Sequence, residues 1–97
     1  MGVSILAEEI IVKEKDVTRI AKALGSQTRW NILKILSKEK LDVSRIAKRL
    51  EQTEANVSAQ VKILENAGLL KSHYEPGLHG VRKVCEPSTK TILFRIP

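Results

Sequence analysis

Aromatic side chains are nearly missing from this chain, which holds one Trp, one Tyr and one Phe, 3% of its residues, against 42% hydrophobic residues in all. Its core must therefore be built from Ile, Leu, Val and Ala rather than from rings. A single cysteine, Cys85, excludes an intrachain disulfide and agrees with a reducing compartment. No stretch approaches the roughly 18 uninterrupted apolar residues of a membrane span. Met1 to Val12 offers no basic segment and carries Glu8 and Glu9, which argues against a signal peptide. A cytoplasmic location is expected. There is no Gly-rich phosphate loop, no HExxH, no CxxC and no supported carboxylate pair, so neither enzyme activity nor a cofactor is expected.

What the chain has in excess is positive charge. Seventeen Lys and Arg against eleven Asp and Glu leave a net charge of +6 and favour a polyanionic partner. No small-molecule ligand is evident from the residues. At 97 residues the chain is expected to be one domain, 1–97, burying only about 60–65% of its unfolded surface. Such a domain is marginal alone, and dimerisation would add buried area. The ends, 1–15 and 88–97, are the expected dimerisation extensions, pairing between or within subunits.

Hydrophobic spacing gives the elements. Ile10-Ile11-Val12 predicts a strand, and the preceding Ile5-Leu6-Ala7 could continue either as strand or as helix. Asp16 opens a helix with Val17, Ile20, Ala21 and Leu24 on one face, closed by Gly25. Ser26 caps a second, Gln27 to about Ser37, whose Trp30, Ile32, Leu33, Ile35 and Leu36 mark it as the central core element. Lys38-Glu39-Lys40 leaves it as a polar turn. The tail, Ile92 to Ile96, reads as a further strand.

The stretch from Val43 to Gly80 is the most informative. Ile46, Ala47 and Leu50 share one helical face, and Val57, Val61 and Leu64 share another after a break at Glu51-Gln52-Thr53. Asp42 and Thr53 stand where the N-caps of these two helices are needed. Gly68 stops the second, because glycine enters the left-handed conformation cheaply. Leu69 to Tyr74 then reads as a strand, Pro76 to Gly80 as a turn and Val81 to Cys85 as the returning strand. The predicted class is α+β, mainly helical: a helix-turn-helix followed by a β-hairpin wing, with short terminal strands. That order points to a reader of duplex DNA.

These residues resemble the winged helix-turn-helix regulators of the ArsR type, especially small archaeal-like members. The resemblance covers roughly residues 16 to 87 and is carried by Ala23-Leu24-Gly25-Ser26-Gln27-Thr28-Arg29, Ile46-Ala47-Lys48-Arg49-Leu50, Val57-Ser58 and Leu64-Glu65-Asn66-Ala67-Gly68-Leu69-Leu70. It implies a homodimeric, sequence-specific transcription regulator of repressor type. The chain departs from the family at three places. Glu51 stands where Gly is common, so a less sharply left-handed corner is expected. Ala59 and Gln60 stand where Arg and His are common, so the target sequence should be this chain's own. The helix at Ser44 to Arg49 lacks the Cys pair that metal sensors of the family carry there.

On the expected recognition helix, about 54–67, the short polar residues of the first half should reach base edges in the major groove: Asn56, Ser58, Ala59 and Gln60. Asn56 and Gln60 lie at i, i+4, and either amide suits a bidentate contact to adenine. This helix holds Lys62 against Glu54 and Glu65, so charge for affinity has to come from its neighbours. The candidates are Arg29, Lys34, Lys38 and Lys40, then Arg45, Lys48 and Arg49, then Lys71, Arg82 and Lys83. Lys48, Arg49, Arg82 and Lys83 are the preferred phosphate contacts, with Lys62 and, from the tip of the 70–86 wing, His79 as additions. No metal site is expected: Cys85, His73 and His79 all lie on the predicted hairpin, but its pairing puts His79 at the tip and Cys85 near the base. Cys85 qualifies as a redox sensor only if it is exposed. Two rival readings are a sequence-tolerant architectural DNA binder and a winged helix that grips another protein.

Overall fold

The computed structural model describes residues 9–97. Met1 to Glu8, and with them the reading of Ile5-Leu6-Ala7, lie outside the described residues. In chain order the elements are strand β1 (Glu9–Val12), a 3-10 turn (Glu14–Asp16), helix α1 (Val17–Leu24), helix α2 (Gln27–Leu36), strand β2 (Leu41–Asp42), helix α3 (Val43–Leu50), helix α4 (Glu54–Asn66) and strands β3 (Leu70–Gly77), β4 (Gly80–Pro87) and β5 (Thr91–Phe94). The fold is a mainly helical α+β one, a winged helix-turn-helix.

Local chemistry accounts for the helix limits. Ser26, Asp42 and Thr53 each turn a side-chain oxygen onto the backbone N–H three residues on, at Arg29, Arg45 and Asn56, and so satisfy one of the free donors of α2, α3 and α4. Asp16, which precedes α1, makes no such bond with its side chain. After α4 the chain turns through Gly68 at φ +78°, with Leu69 N–H donating to the Leu64 carbonyl and Gly68 N–H to that of Glu65. This is the Schellman end that glycine favours, and Leu69, 1% exposed, is its buried apolar member.

The corner between α3 and α4 is built the same way without glycine. Glu51 adopts φ 54°, ψ 46°, while Gln52 N–H donates to the Ala47 carbonyl and Glu51 N–H to that of Lys48. The expected relaxation of this corner at Glu51 is therefore wrong. Two closing hydrogen bonds and the packing of α3 on α4 hold a non-glycine residue fully left-handed.

Aliphatic side chains from every helix meet in one core. Ile32, Ile46, Val57, Val61 and Leu64 are completely enclosed, with Ile20, Ala23, Leu36, Ala47, Leu70 and Cys85 around them. Trp30 is not part of it: it is 47% exposed, contrary to expectation. Ile32 and Leu36 define the inward stripe of α2, and Trp30, two residues before Ile32, is turned about 200° away from it. Leu33 and Ile35 flank the stripe, half-buried.

Two sheets frame the helices. In the antiparallel one, β4 lies between β2 and β3, with Leu41 opposite Cys85 and Ser72 also opposite Cys85 on the other side. Strand β2 has two residues, too few for any alternation, and its segment reads in the sequence only as a turn and a cap. The hairpin is tighter than expected: β3 runs on through Pro76 and Gly77, Gly77 pairs with Gly80, and Leu78-His79 alone make the loop. Pro76 is tolerated because β3 is an edge strand. Gly80 supplies a positive φ of 110° at the loop's end. The second sheet is the parallel pair β1 and β5 within the one chain, Ile10 opposite Ile92 and Val12 opposite Phe94. Among the described residues no helix is long and apolar enough to cross a membrane.

Candidate nucleic-acid interface

Helix α4 turns Val57, Val61 and Leu64 inward, which leaves Glu54, Ala55, Asn56, Ser58, Ala59 and Lys62 exposed and Gln60 half-buried at the border. Asn56, Ser58 and Ala59 are thus all exposed in the first half of α4. Their amide neighbours are not loose. Gln60 Oε1 accepts from Arg29 Nη1 at 2.6 Å, Gln60 Nε2 donates to Asn56 Oδ1 at 3.2 Å, and Asn56 Nδ2 donates to Gln52 Oε1. Gln52 Nε2 in turn donates to Thr28 Oγ1 at 3.4 Å.

Charge is distributed around this face. Arg45, Lys48 and Arg49 on α3 line a shallow hollow of about 260 Å³, and all three are exposed. Arg49 meets Glu39 at 2.5 Å and Arg45 meets Asp42 at 3.6 Å, while Lys48 and Lys62 make no ion pair among the described residues. Arg29, one of the candidate cations, is committed inside the fold: Nε donates to the Ala23 carbonyl at 2.7 Å and Nη2 to that of Lys22 at 3.1 Å, besides the bond to Gln60.

The wing is fastened to the helices through its own cations. Arg82 lies between Asp42 and Glu75, at 3.2 Å from each. Asp42 is 7% exposed and is also the cap of α3, so one carboxylate ties the start of the positioning helix to β4. Lys83 reaches Glu65 on α4 at 2.7 Å, and Ser72 on β3 donates to the same carboxylate. Burial alone would raise the Glu65 carboxyl, but the hydrogen bonds from Lys83 and Ser72 outweigh it and hold the group below its ordinary value. The bond to Glu65 raises the Lys83 ammonium against the burial that opposes it. Hydrogen bonds from His73 first and then Arg82 lower Glu75. Three of the four preferred phosphate contacts, Arg49, Arg82 and Lys83, therefore already have carboxylate partners. These pairings join residues up to 40 positions apart, and nothing in local spacing signals them.

Residues 26–72, from the cap of α2 into the first strand of the wing, match the model of the bacterial regulatory protein, arsR family. That stretch is similar to an ArsR-family helix-turn-helix. Solved structures with the same architecture agree. A homodimeric winged helix-turn-helix DNA-binding domain from Mycobacterium bovis, described as a possible ArsR-family transcriptional regulator, is 26% identical with a TM-score of 0.67 over 76% of this chain. The chain spans 65% of that domain's length. An ArsR family transcriptional regulator is likewise 26% identical over 74% of this chain and 75% of its own, with a TM-score of 0.63. Reduced HlyU from Vibrio cholerae shares the fold at 22% identity, with a TM-score of 0.69 over 78% of this chain and 76% of its own. No curated protein matches the chain.

Within this ArsR-type frame the sulfur and imidazole groups stay apart. His79 is exposed at the loop, His73 bonds Glu75 at 2.5 Å, and Cys85 is fully enclosed between β2 and β3. Among the described residues no three His, Cys, Asp or Glu side chains are grouped to hold a metal. Burial pushes the Cys85 thiol up to about 11, so it is protonated and shielded, and the exposure that a redox sensor needs is lacking.

Proposed function

We infer that this chain is a sequence-specific regulator of transcription that binds double-stranded DNA as a homodimer in the cytoplasm. The observation that carries the reading is the bare outer face of α4, with Asn56, Ser58 and Ala59 exposed beside the exposed cations of α3 and a wing locked to both helices. In this reading α4 enters the major groove, and Asn56, Ser58, Ala59 and Gln60 read base edges. Lys48, Arg45, Arg49 and Lys62 neutralise phosphates, and His79 at the loop tip touches the backbone or minor groove. Arg82 and Lys83 keep the roles proposed from the sequence only through whatever N–H groups Asp42, Glu75 and Glu65 leave open. Their main work is to fix the angle of the wing.

The homodimer rests on the likeness to the dimeric M. bovis domain and on apolar surface left outward. Trp30 and Phe94 flank a groove of about 950 Å³ beside β5, and among the described residues the parallel β1 and β5 pair has no third strand. A two-stranded sheet is barely stable by itself. To read successive major grooves, the two α4 helices of such a dimer would have to stand about 34 Å apart. Light scattering of the chain without residues 91–97 tests this: an unchanged dimer would remove the tail from the interface.

One observation favours a sequence-tolerant binder instead: α4 carries Glu54 and Glu65 against a single Lys62, so most of the charge lies beside the reading face. Selection of bound fragments from a random pool of duplexes separates the readings. A recurrent two-fold motif supports specific regulation, binding without a motif supports an architectural role, and no binding at low salt would sink both and leave a protein-gripping winged helix.

A further inference from the structure

The outer face of α4 contains a hydrogen-bond relay with a fixed direction. It starts at Arg29 Nη1, which donates to Gln60 Oε1; Gln60 Nε2 donates to Asn56 Oδ1; Asn56 Nδ2 donates to Gln52 Oε1; Gln52 Nε2 donates to Thr28 Oγ1. Both ends of the relay lie on adjacent residues at the N-terminus of α2, so it closes a loop between α2 and the first half of α4. A primary amide can turn over and exchange its oxygen for its NH2 group at little cost in shape. A guanidinium cannot change roles, because all its N–H groups donate. Here it is also immobilised, with Nε on the Ala23 carbonyl at 2.7 Å and Nη2 on that of Lys22 at 3.1 Å. The amide oxygen of Gln60 must therefore face Arg29, and the orientations of Asn56 and Gln52 follow in turn.

We propose that Arg29 is a positioning residue that sets the donor and acceptor pattern of the DNA-reading face without contacting DNA. The inference rests on the DNA-binding reading above. Each amide in the relay uses one N–H and one lone pair internally and keeps one of each for a base edge. With the direction fixed, the exposed N–H and oxygen of Asn56 occupy defined places, and an adenine presents the matching N7 acceptor and N6 donor. With the direction free, the same side chain offers two patterns and distinguishes bases poorly.

Two variants test this, and both are followed in the free protein and on DNA. Arg29→Lys keeps the charge but cannot reach three acceptors at once. Gln60→Glu keeps the bond to Arg29 as an ion pair, which protects the fold, but cannot donate to Asn56. In the free protein, the side-chain amide NMR signals of Asn56 and Gln52 should shift in both variants, although neither residue is altered. Signals that stay in place would overturn the relay. On DNA, Arg29→Lys should reduce the preference for the selected duplex over a scrambled one by about 10-fold or more while leaving the salt dependence unchanged. An unchanged preference would overturn the proposal. So would a neutral Arg29→Met variant that lowers the log–log salt slope by about 0.9 at unchanged preference, because Arg29 would then be a phosphate contact. If the unaltered protein binds no duplex, the DNA reading fails, and the amide signals still decide whether the relay exists.

Discussion

Replacing Asp42 by asparagine and, separately, by alanine divides one carboxylate into its two tasks. Its Oδ1 accepts from the Arg45 backbone N–H at 2.9 Å as the cap of α3, and its Oδ2 faces Arg82 Nη1 at 3.2 Å from within the fold. Losing a cap costs about 1 kcal/mol. Removing one partner of a buried ion pair costs about 3–5 kcal/mol. Arg82 is 38% exposed and has Glu75 as a second partner at 3.2 Å, so solvent and that second pair scale the loss here to about 1–2 kcal/mol. Asparagine caps as well as aspartate, so Asp42→Asn should cost about 1–2 kcal/mol, and Asp42→Ala, which loses both interactions, about 2–3 kcal/mol. Urea unfolding gives the answer as a lowered midpoint at constant slope. If the two variants are equally unstable, the cap contributes nothing. If Asp42→Asn matches the unaltered protein, the tie between α3 and the wing strand is not energetic, and the account of how the wing is held fails.

Glu51→Gly should stabilise the chain, since the left-handed conformation costs a non-glycine residue about 1–2 kcal/mol and glycine returns part of that through its more flexible unfolded state; a net gain of roughly 0.5–1 kcal/mol should appear as a rise of a few degrees in the melting temperature. Glu65 is held below its ordinary value of 4.5 in the fold, so its contribution is present above that pH and fades as the pH falls through the lowered folded value; Glu65→Gln should flatten the acid limb of a stability profile, and an unchanged limb would show the Lys83 and Ser72 bonds to be inert. Lys83, raised from 10.5, has the opposite sign: its share is complete below that pH and is lost only as the pH climbs through the raised value, which unfolding at alkaline pH should register. Lys48→Ala should weaken all duplexes alike and lower the log–log salt slope by about 0.9, as measured by fluorescence anisotropy across a salt series; a loss confined to one sequence would instead make Lys48 a base reader.

How much of this was legible in the residues depends on the range of the interaction. The caps at Ser26, Asp42 and Thr53 and the stop at Gly68 act over three to five positions, and each stands where the sequence implied. The inward stripe of α4 follows from helical period alone. Trp30 faces outward because it lies about 200° around α2 from Ile32, an angle that apolar character alone does not convey. Glu51 misled because the left-handed corner is imposed by packing on both sides of it, which outweighs residue preference. Strand β2 is too short to have a period. The ties of Arg82 to Asp42 and Lys83 to Glu65, like the relay from Arg29, join distant parts of the chain, and one sequence contains no trace of which cation will meet which carboxylate. For the same reason Arg29 reads in the sequence as one more surface cation, although it is bound to two backbone carbonyls.

The parallel pairing of Glu9–Val12 with Thr91–Phe94 has a kinetic side. Its two strands come from opposite ends of the chain, so the ribbon cannot close until the helices between them have drawn those ends together, and each strand offers only four residues in return. It should be the last part of the molecule to form and the first to open, with its amide hydrogens exchanging while those of α2 and α4 are still protected. Opening it would free two adhesive edges without disturbing the helix-turn-helix.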